Sequence, residues 1–397
     1  MEHVPPAQEY SNTTQLLEIM SRGASKIVIA AGGTGGHLFP GLAVGEVLVR
    51  EGWEVLVLTS EKAIDRVATE GRHEFRIERL PATGMPRLFS PGMVLFFFRL
   101  LMALWSCISL YRRFRPDVVL AMGGFTSTAP VVAAWLCGIP AVVHESNVVP
   151  GKANRLNARF CARVLIGFEE ARARFGALGR DKVEMVGTPV RGTLRKAVDR
   201  SSACASFGLD SALPVVLVMG GSQGAQGLNR AIAAALSRIG HGKQRVQFLH
   251  LTGPDDEVLM RSLYATEGIT AKVMPFCKEM EAAYGASDLV VMRSGAASLT
   301  ELAWFGLPSL LIPLPSAADD HQTLNARVFE REGAAYLLPQ RELTDGVKLA
   351  NALESVLSEG PVRERMAAKA AALAVRDSAE RVAKVVAGLR KNGGASA

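Results

Sequence analysis

From Lys26 onward, short apolar runs alternate with longer stretches of helical periodicity. The first series is KIVIAA (26–31), EVLVL (54–58), FRIERL (75–80), DVVLAM (117–122), PAVVHE (140–145), RVLIG (163–167) and VEMVG (183–187). Runs this short and this continuously apolar predict strands buried on both faces, joined by helices into βαβ units of a parallel sheet. The pattern then restarts with PVVLVMGG (214–221), VQFLHLTG (246–253), KVMPF (272–276), DLVVM (288–292), SLLIPL (309–314) and AAYLLP (334–339). The expected fold is α/β: two Rossmann-like doubly wound domains of similar size with a linker near 187–192. The expected boundaries are a flexible tail over 1–25, domains over 26–188 and 189–376, and a closing segment over 377–397. In that segment Val382, Val385, Val386 and Leu389 fall at i, i+3, i+4 and i+7, the spacing of an amphipathic helix.

One stretch departs from the alternation. Residues 92–110, GMVLFFFRLLMALWSCISL, hold 19 residues with a single charge, Arg99. By length and apolarity they could span a bilayer. They lie, however, between FRIERL and DVVLAM, where a parallel sheet requires a crossover helix, and a span would strand those two on opposite sides of a membrane. Arg99 near the centre would add a cost of roughly 2.5–3.5 kcal/mol. The span is rejected. What remains, flanked by Arg87, Arg112, Arg113 and Arg115 and carrying Trp105, is either a helix adsorbed to an anionic membrane surface or a core helix with a basic flank. The run Phe96-Phe97-Phe98, which points around more than one face, favours the membrane surface.

Composition narrows the field. Of 397 residues, 49% are hydrophobic and 21% charged, an ordinary globular balance that argues against disordered or fibrous chains. The net charge of +7 favours anionic partners without choosing among them. Five cysteines at least 24 residues apart form no CxxC pair, which argues against zinc ribbons and disulfide frameworks. The polar start MEHVPPAQEY lacks the pattern of a secretory signal, so a cytoplasmic location is expected. Basic residues are not interleaved with aromatics along a stripe, and nucleic acid is not an expected partner.

Candidate chemistry clusters at strand ends. Gly32, Gly33, Thr34, Gly35, Gly36 and His37 follow the first strand and open a helix. Glycines admit an anion close to backbone amides, and the helix start adds partial positive charge. Leu38 stands where a dinucleotide fingerprint requires glycine, and no P-loop sequence is present, so both nucleotide motifs are excluded. A second loop, Gly123-Gly124-Phe125-Thr126-Ser127, suits the same anion. His37 at a helix start should remain neutral and able to accept a proton. His144 and Glu145 end a strand, where α/β sheets place ligands. In the second half, Ser298-Leu299-Thr300-Glu301 fits a capping box, with Gly306 and Pro308 ending the helix. The alternative for Glu301 is a carboxylate that grips a ribose diol. Arg191 and Arg293 suit a diphosphate leaving group, and Asp319, Asp320, His321, Gln322 and Asn325 cluster polar groups in one loop. Sites in both halves point to an enzyme acting on a nucleotide-activated substrate.

The segments GGTGGHLFPGLA (32–43), MGGFTSTAP (122–130), HESN (144–147), GTPVR (187–191), GGSQGA (220–225), RSGAASLTELAWFGLP (293–308) and DDHQTLNA (319–326) occur in order. Together they resemble glycosyltransferase family 28, in particular its members that add N-acetylglucosamine to lipid I in peptidoglycan synthesis. The resemblance covers about 26–390. It implies a GT-B fold with an interdomain cleft, the first domain taking the acceptor and the membrane, the second the UDP-sugar, and the last helix crossing back. It also implies inverting transfer from UDP-N-acetylglucosamine to the C4 hydroxyl of the muramoyl sugar on undecaprenyl diphosphate. No tightly bound cofactor or metal is implied. The implied partners are the lipid-linked acceptor, an anionic membrane surface at the cytoplasmic face of the plasma membrane, and other cell-wall synthesis proteins.

Carried onto this sequence, the resemblance makes His37 the catalytic-site histidine and places Thr34, Gly35 and Gly36 at the donor sugar and diphosphate. Gly33, Gly123, Gly124 and Thr126 would face the acceptor diphosphate. Asn147 matches a donor-sugar contact, and Arg191 and Ser222 match diphosphate contacts. Phe276 and Cys277 would hold uracil, Cys277 through its backbone. Ala296, Ala297, Ser298, Leu299, Thr300 and Glu301 form the nucleotide-binding helix start, with Glu301 on the ribose, while His321 and Gln322 would read sugar hydroxyls. His321 stands where many members have glutamine, and Ser146 and Thr188 also depart from the commoner residues. UDP-N-acetylglucosamine 2-epimerases share the architecture and supply the competing reading, alongside a non-catalytic membrane scaffold that binds sugar nucleotide.

Overall fold

Each of the thirteen apolar runs forms a strand in the computed structural model, which describes residues 24–62, 65–66, 69–81, 92–176, 182–196, 198–221, 224–240 and 245–390. The first sheet contains β1 (Lys26–Ala30), β2 (Glu54–Ser60), β3 (Arg76–Leu80), β4 (Val118–Ala121), β5 (Ala141–Glu145), β6 (Arg163–Ile166) and β7 (Val183–Met185), in the order β3-β2-β1-β4-β5-β6-β7. The second contains β8 (Val215–Met219), β9 (Gln247–Leu251), β10 (Ala271–Met274), β11 (Leu289–Met292), β12 (Ser309–Leu311) and β13 (Ala335–Leu337), in the order β10-β9-β8-β11-β12-β13. Pairing is parallel: Ile27 faces Val55 on one side and Val118 on the other, and Val216 faces Phe248 and Leu289. Helices cover both sides, which is why the central strands can be apolar at every position; Ile27, Val28 and Ile29 expose no surface.

In each sheet the strand order reverses once, between β1 and β4 and between β8 and β11. Ligands bind outside the carboxyl ends of the strands at such points. The glycine loops after β1, β4 and β8 and the short segment 293–295 after β11 lie there.

The helices that matter to the sites are α1 (Gly35–Arg50), α2 (Gly92–Phe114), α3 (Thr128–Leu136), α4 (Gln226–Gly240), α5 (Met280–Ala286), α6 (Ala296–Phe305), α7 (His321–Arg331) and α8 (Ser378–Gly388). Helix α8 buries Ala379, Val382, Ala383 and Val386, so of the predicted stripe Val382 and Val386 are buried while Val385 and Leu389 are only partly so. Helix α2 connects β3 to β4 of one sheet, so it cannot cross a bilayer, although it is long and apolar enough to do so.

The described residues of segments 1–143, 156–163 and 382–397 form one compact unit, and those of 144–155 and 164–381 form another. These divisions differ from a boundary at 188, and side-chain bonds within the second unit give the reason. Asn325 on α7 accepts a hydrogen bond from the Val148 amide at 2.9 Å, and its Nδ2 donates to Asn147 Oδ1 at 3.0 Å. Segment 187–192 is no exposed linker either, since Thr188 and Val190 are buried and the Gly187 carbonyl accepts from His144 Nε2 at 2.8 Å. The expected tail falls, over 1–23, outside the described residues.

Candidate functional site

In the first unit two loops are tied together at the end of the sheet. Thr126 Oγ1 donates to the Gly32 carbonyl at 2.9 Å. Helix α1 begins at Gly35, and its first amides have no partners within the helix. Thr34, at the N-cap, does not cap it. Its hydroxyl is instead hydrogen-bonded to His37 Nδ1 at 3.2 Å. Gly124, at φ 76°, backs the same imidazole, and a Cβ there would stand 3.3 Å from His37 Cε1. The loop after β4 therefore needs glycine both for its backbone conformation and for contact with His37.

Gly33 is placed otherwise than expected. Its amide donates to Asp65 Oδ2 at 2.8 Å, so an internal carboxylate occupies the donor assigned to the acceptor diphosphate. Asp65 is fully buried and also accepts from the Ser60 amide at 2.9 Å and from the Ser60 hydroxyl. Lys62 Nζ donates to the Gly33 carbonyl at 2.9 Å, so both polar groups of this peptide unit are held.

Among the expected membrane residues, Phe97 and Trp105 are 54% and 77% exposed on α2, and Arg112 and Arg113 are exposed too. Arg113 pairs with Glu78 at 3.0 Å. Phe96 is different: it is 8% exposed and packs edge-on against Phe125, because three consecutive helical residues cannot all face outward. Arg87 lies outside the described residues. Trp135 on α3 is exposed and packs against Phe160 at 5.4 Å between ring centroids, an apolar surface residue that the helical pattern alone did not single out.

The second unit builds its site around Glu301. Helix α6 starts at Ala296, with Gly295 as its N-cap and no side-chain cap. Ser298 and Glu301 therefore sit inside the helix, and the capping-box reading fails. Thr300 turns its hydroxyl back to the Ala296 carbonyl at 3.0 Å, and Leu299 is buried in the core. The amides of Ala296, Ala297 and Ser298 open the helix, an anion-binding arrangement. Glu301 Oε2 accepts from the Tyr284 hydroxyl at 2.8 Å, and Oε1 accepts from Arg191 Nη2 at 3.2 Å. Burial, followed by the Glu301 charge, pushes the Tyr284 phenol well above its ordinary range, so it remains a donor. Each carboxylate oxygen keeps a further lone pair for a diol.

Nearby residues are placed as follows. Asn147 donates to Glu145 Oε1 through both its amide (2.9 Å) and its side chain (3.1 Å), and accepts from Asn325. Glu145 Oε2 accepts from Gly151 and Asn154, so this buried carboxylate acts as an organiser of the HESN turn. His144 is fully buried and orients Gly187. Phe276 is half exposed, whereas the Cys277 thiol is buried and its pKa is pushed up to about 11 by that burial. His321 opens α7 with Nδ1 donating to the Ala318 carbonyl at 2.8 Å, and Gln322 Oε1 accepts from the Leu314 amide at 2.9 Å. Ser222 lies outside the described residues.

Arg293 does not serve a diphosphate. It is buried and clasps the carbonyls of Ile312 and Pro313 at 3.0 Å and Gln340 Oε1 at 2.6 Å, fixing the end of β12. Tyr284, Asp65 and Asn325 acquire their roles only here; Asn325 alone had stood out in sequence, as a member of the polar loop. Among the described residues, no group of three or more His, Cys, Asp or Glu side chains could hold a metal ion.

Two parallel doubly wound sheets, one with glycine loops around a histidine and one with an open helix start beside an Arg–Glu pair, form an α/β architecture that glycosyltransferases share with UDP-sugar epimerases, and the family models decide between them for the glycosyltransferases. The glycosyltransferase family 28 N-terminal domain matches residues 27–166 and the family 28 C-terminal domain matches 215–382. The chain belongs to glycosyltransferase family 28. A relative from Shewanella amazonensis, 39% identical over 375 residues (92% of this chain, 98% of the relative), is named UDP-N-acetylglucosamine–N-acetylmuramyl-(pentapeptide) pyrophosphoryl-undecaprenol N-acetylglucosamine transferase. The crystal structure of Acinetobacter baumannii MurG superposes with a TM-score of 0.72 at 27% identity, covering 92% of this chain and all of that one. A Listeria monocytogenes structure described as a UDP-N-acetylglucosamine 2-epimerase reaches a TM-score of 0.66 at 12% identity over 91% of this chain and 95% of its own, a likeness of fold alone.

Proposed function

We propose that this chain transfers N-acetylglucosamine from UDP-N-acetylglucosamine to the C4 hydroxyl of the muramoyl sugar of lipid I, forming the β-1,4 link of lipid II with inversion. The observation that carries this reading is the near full-length match, at 39% identity, to a relative named for that transfer. The local chemistry fits it. Glu301 would hold the ribose, the α6 amides and Arg191 the diphosphate, and Phe276 with the Cys277 backbone the uracil. As UDP leaves, charge builds on the diphosphate, and preorganised amides and a guanidinium stabilise that charge without rearrangement.

His37 would accept the proton of the attacking hydroxyl. For this, Nδ1 carries a hydrogen and donates to Thr34 Oγ1, and Nε2 is the nitrogen that takes the proton. The exposed apolar face of α2, including Phe97 and Trp105 beside Arg112, would rest on the cytoplasmic face of the plasma membrane, where a lipid-linked acceptor resides.

The test is UDP release by the purified chain. Release should require both UDP-N-acetylglucosamine and a lipid I analogue, and absence of turnover with both present overturns the reading. Conversion of the donor to its 2-epimer without acceptor would instead identify an isomerase.

A further inference from the structure

The single charge on the apolar face of α2 has a defined setting. Arg99 lines a small pocket together with Phe96 and Leu100 of α2 and Phe125 and Thr126 of the loop after β4. Its side chain is exposed, and among the described residues no carboxylate pairs with it, in contrast to Arg113 with Glu78. A lone guanidinium among leucine and phenylalanine side chains suits a ligand that joins an anion directly to a hydrocarbon. The same loop reaches the reaction centre: Gly124 abuts His37, and Thr126 ties to Gly32.

We infer that Arg99 binds the diphosphate of the prenyl-linked acceptor, with the first isoprene units on the half-buried Leu100 and Phe125. This inference rests on the transfer reaction proposed above. In such an acceptor the reacting C4 hydroxyl and the C1 carbon that bears the diphosphate lie at opposite ends of one sugar ring. The diphosphate would therefore sit about one ring away from His37, and Arg99 lines a pocket with Phe125 and Thr126 of the loop that touches this histidine. Gly33 cannot take this role, because its amide is held by Asp65. A guanidinium presents paired donors to a phosphate, and this geometry is lost in glutamine.

The full-length chain and its Arg99→Gln variant are compared in neutral detergent micelles free of phospholipid, using a short-chain prenyl diphosphate muramoyl acceptor. The acceptor KM should rise about tenfold or more. The donor KM should stay within about twofold, and Arg99→Lys should recover part of the loss. Because the side chain is exposed and unpaired, Tm should be unchanged. An acceptor KM unaffected by Arg99→Gln overturns the inference. So does a defect seen only on phosphatidylglycerol vesicles, which would assign Arg99 to phospholipid headgroups. As a measurement independent of substitution, farnesyl diphosphate should compete with acceptor in the unaltered chain while farnesol does not; equal inhibition by the two also overturns the inference. Failure of the unaltered chain to glycosylate any such acceptor would overturn the proposed reaction itself, a result distinct from all of these.

Discussion

The Tyr284 hydroxyl, on α5, donates to Glu301 Oε2, on α6, at 2.8 Å, while Arg191 holds the other oxygen at 3.2 Å. The carboxylate assigned to the ribose is thus aimed before nucleotide binds. Removing the phenol in Tyr284→Phe should raise the donor KM about fivefold, in line with the ~1 kcal/mol of a typical hydrogen bond, and leave kcat nearly unchanged. Glu301→Ala should cost far more. Steady-state rates at varied UDP-N-acetylglucosamine check both.

His37→Ala should lower kcat about 100-fold or more, the usual range for loss of a positioned acid–base group. UDP-N-acetylglucosamine affinity measured by calorimetry should stay the same. Near-normal turnover would remove His37 from the chemistry.

Asp65→Ala would leave the amides of Gly33 and Ser60 without their acceptor in a buried setting. Stability should fall by about 2–4 kcal/mol in denaturant unfolding. A smaller loss in Asp65→Asn, accompanied by reduced kcat, would separate loop alignment from folding.

Acid should destabilise the second unit through His250. This side chain is buried, Nε2 donating to Asn229 Oδ1 and Nδ1 accepting from the Tyr264 hydroxyl, each at 3.1 Å, and burial lowers its pKa from 6.5 to about 3. Between those values the unfolded chain binds a proton that the folded one does not. Stability should therefore fall as pH drops below 6.5, by about 1.4 kcal/mol per unit from this group, and level off near pH 3. Urea unfolding from pH 7 to pH 5 should show a shallower slope in His250→Gln.

Replacing Phe97 and Trp105 together with serine should abolish binding to phosphatidylglycerol vesicles while Tm is preserved, since both side chains are exposed. Phe96→Ser should do the reverse, lowering Tm by opening the contact with Phe125. Co-sedimentation and thermal melts distinguish the two outcomes.

Much of this was legible along the chain. All thirteen strands, the glycine loops after β1 and β8, the αL residue Gly306 at the end of α6 and the burial of Val382 and Val386 on α8 follow from periodicity and turn chemistry. Those signals act between near neighbours. The capping-box reading of Glu301 failed for the same reason: it compared residues three apart, whereas the partner that matters, Arg191, is 110 positions away. Arg293 looked like a phosphate ligand until its guanidinium was found on the carbonyls of Ile312 and Pro313.

The sequence by itself determined the fold class, the family and the chemical inventory, because strand and helix periods and loop glycines are written in local order. Tertiary structure decided which groups are spent on the protein and which remain for ligands. The Gly33 amide went to Asp65 and Phe96 to Phe125, while Phe97, Trp105 and Arg99 stayed exposed. Hydrogen bonds of about 3 Å and side-chain burial depend on distance through space, and chain separation does not encode it.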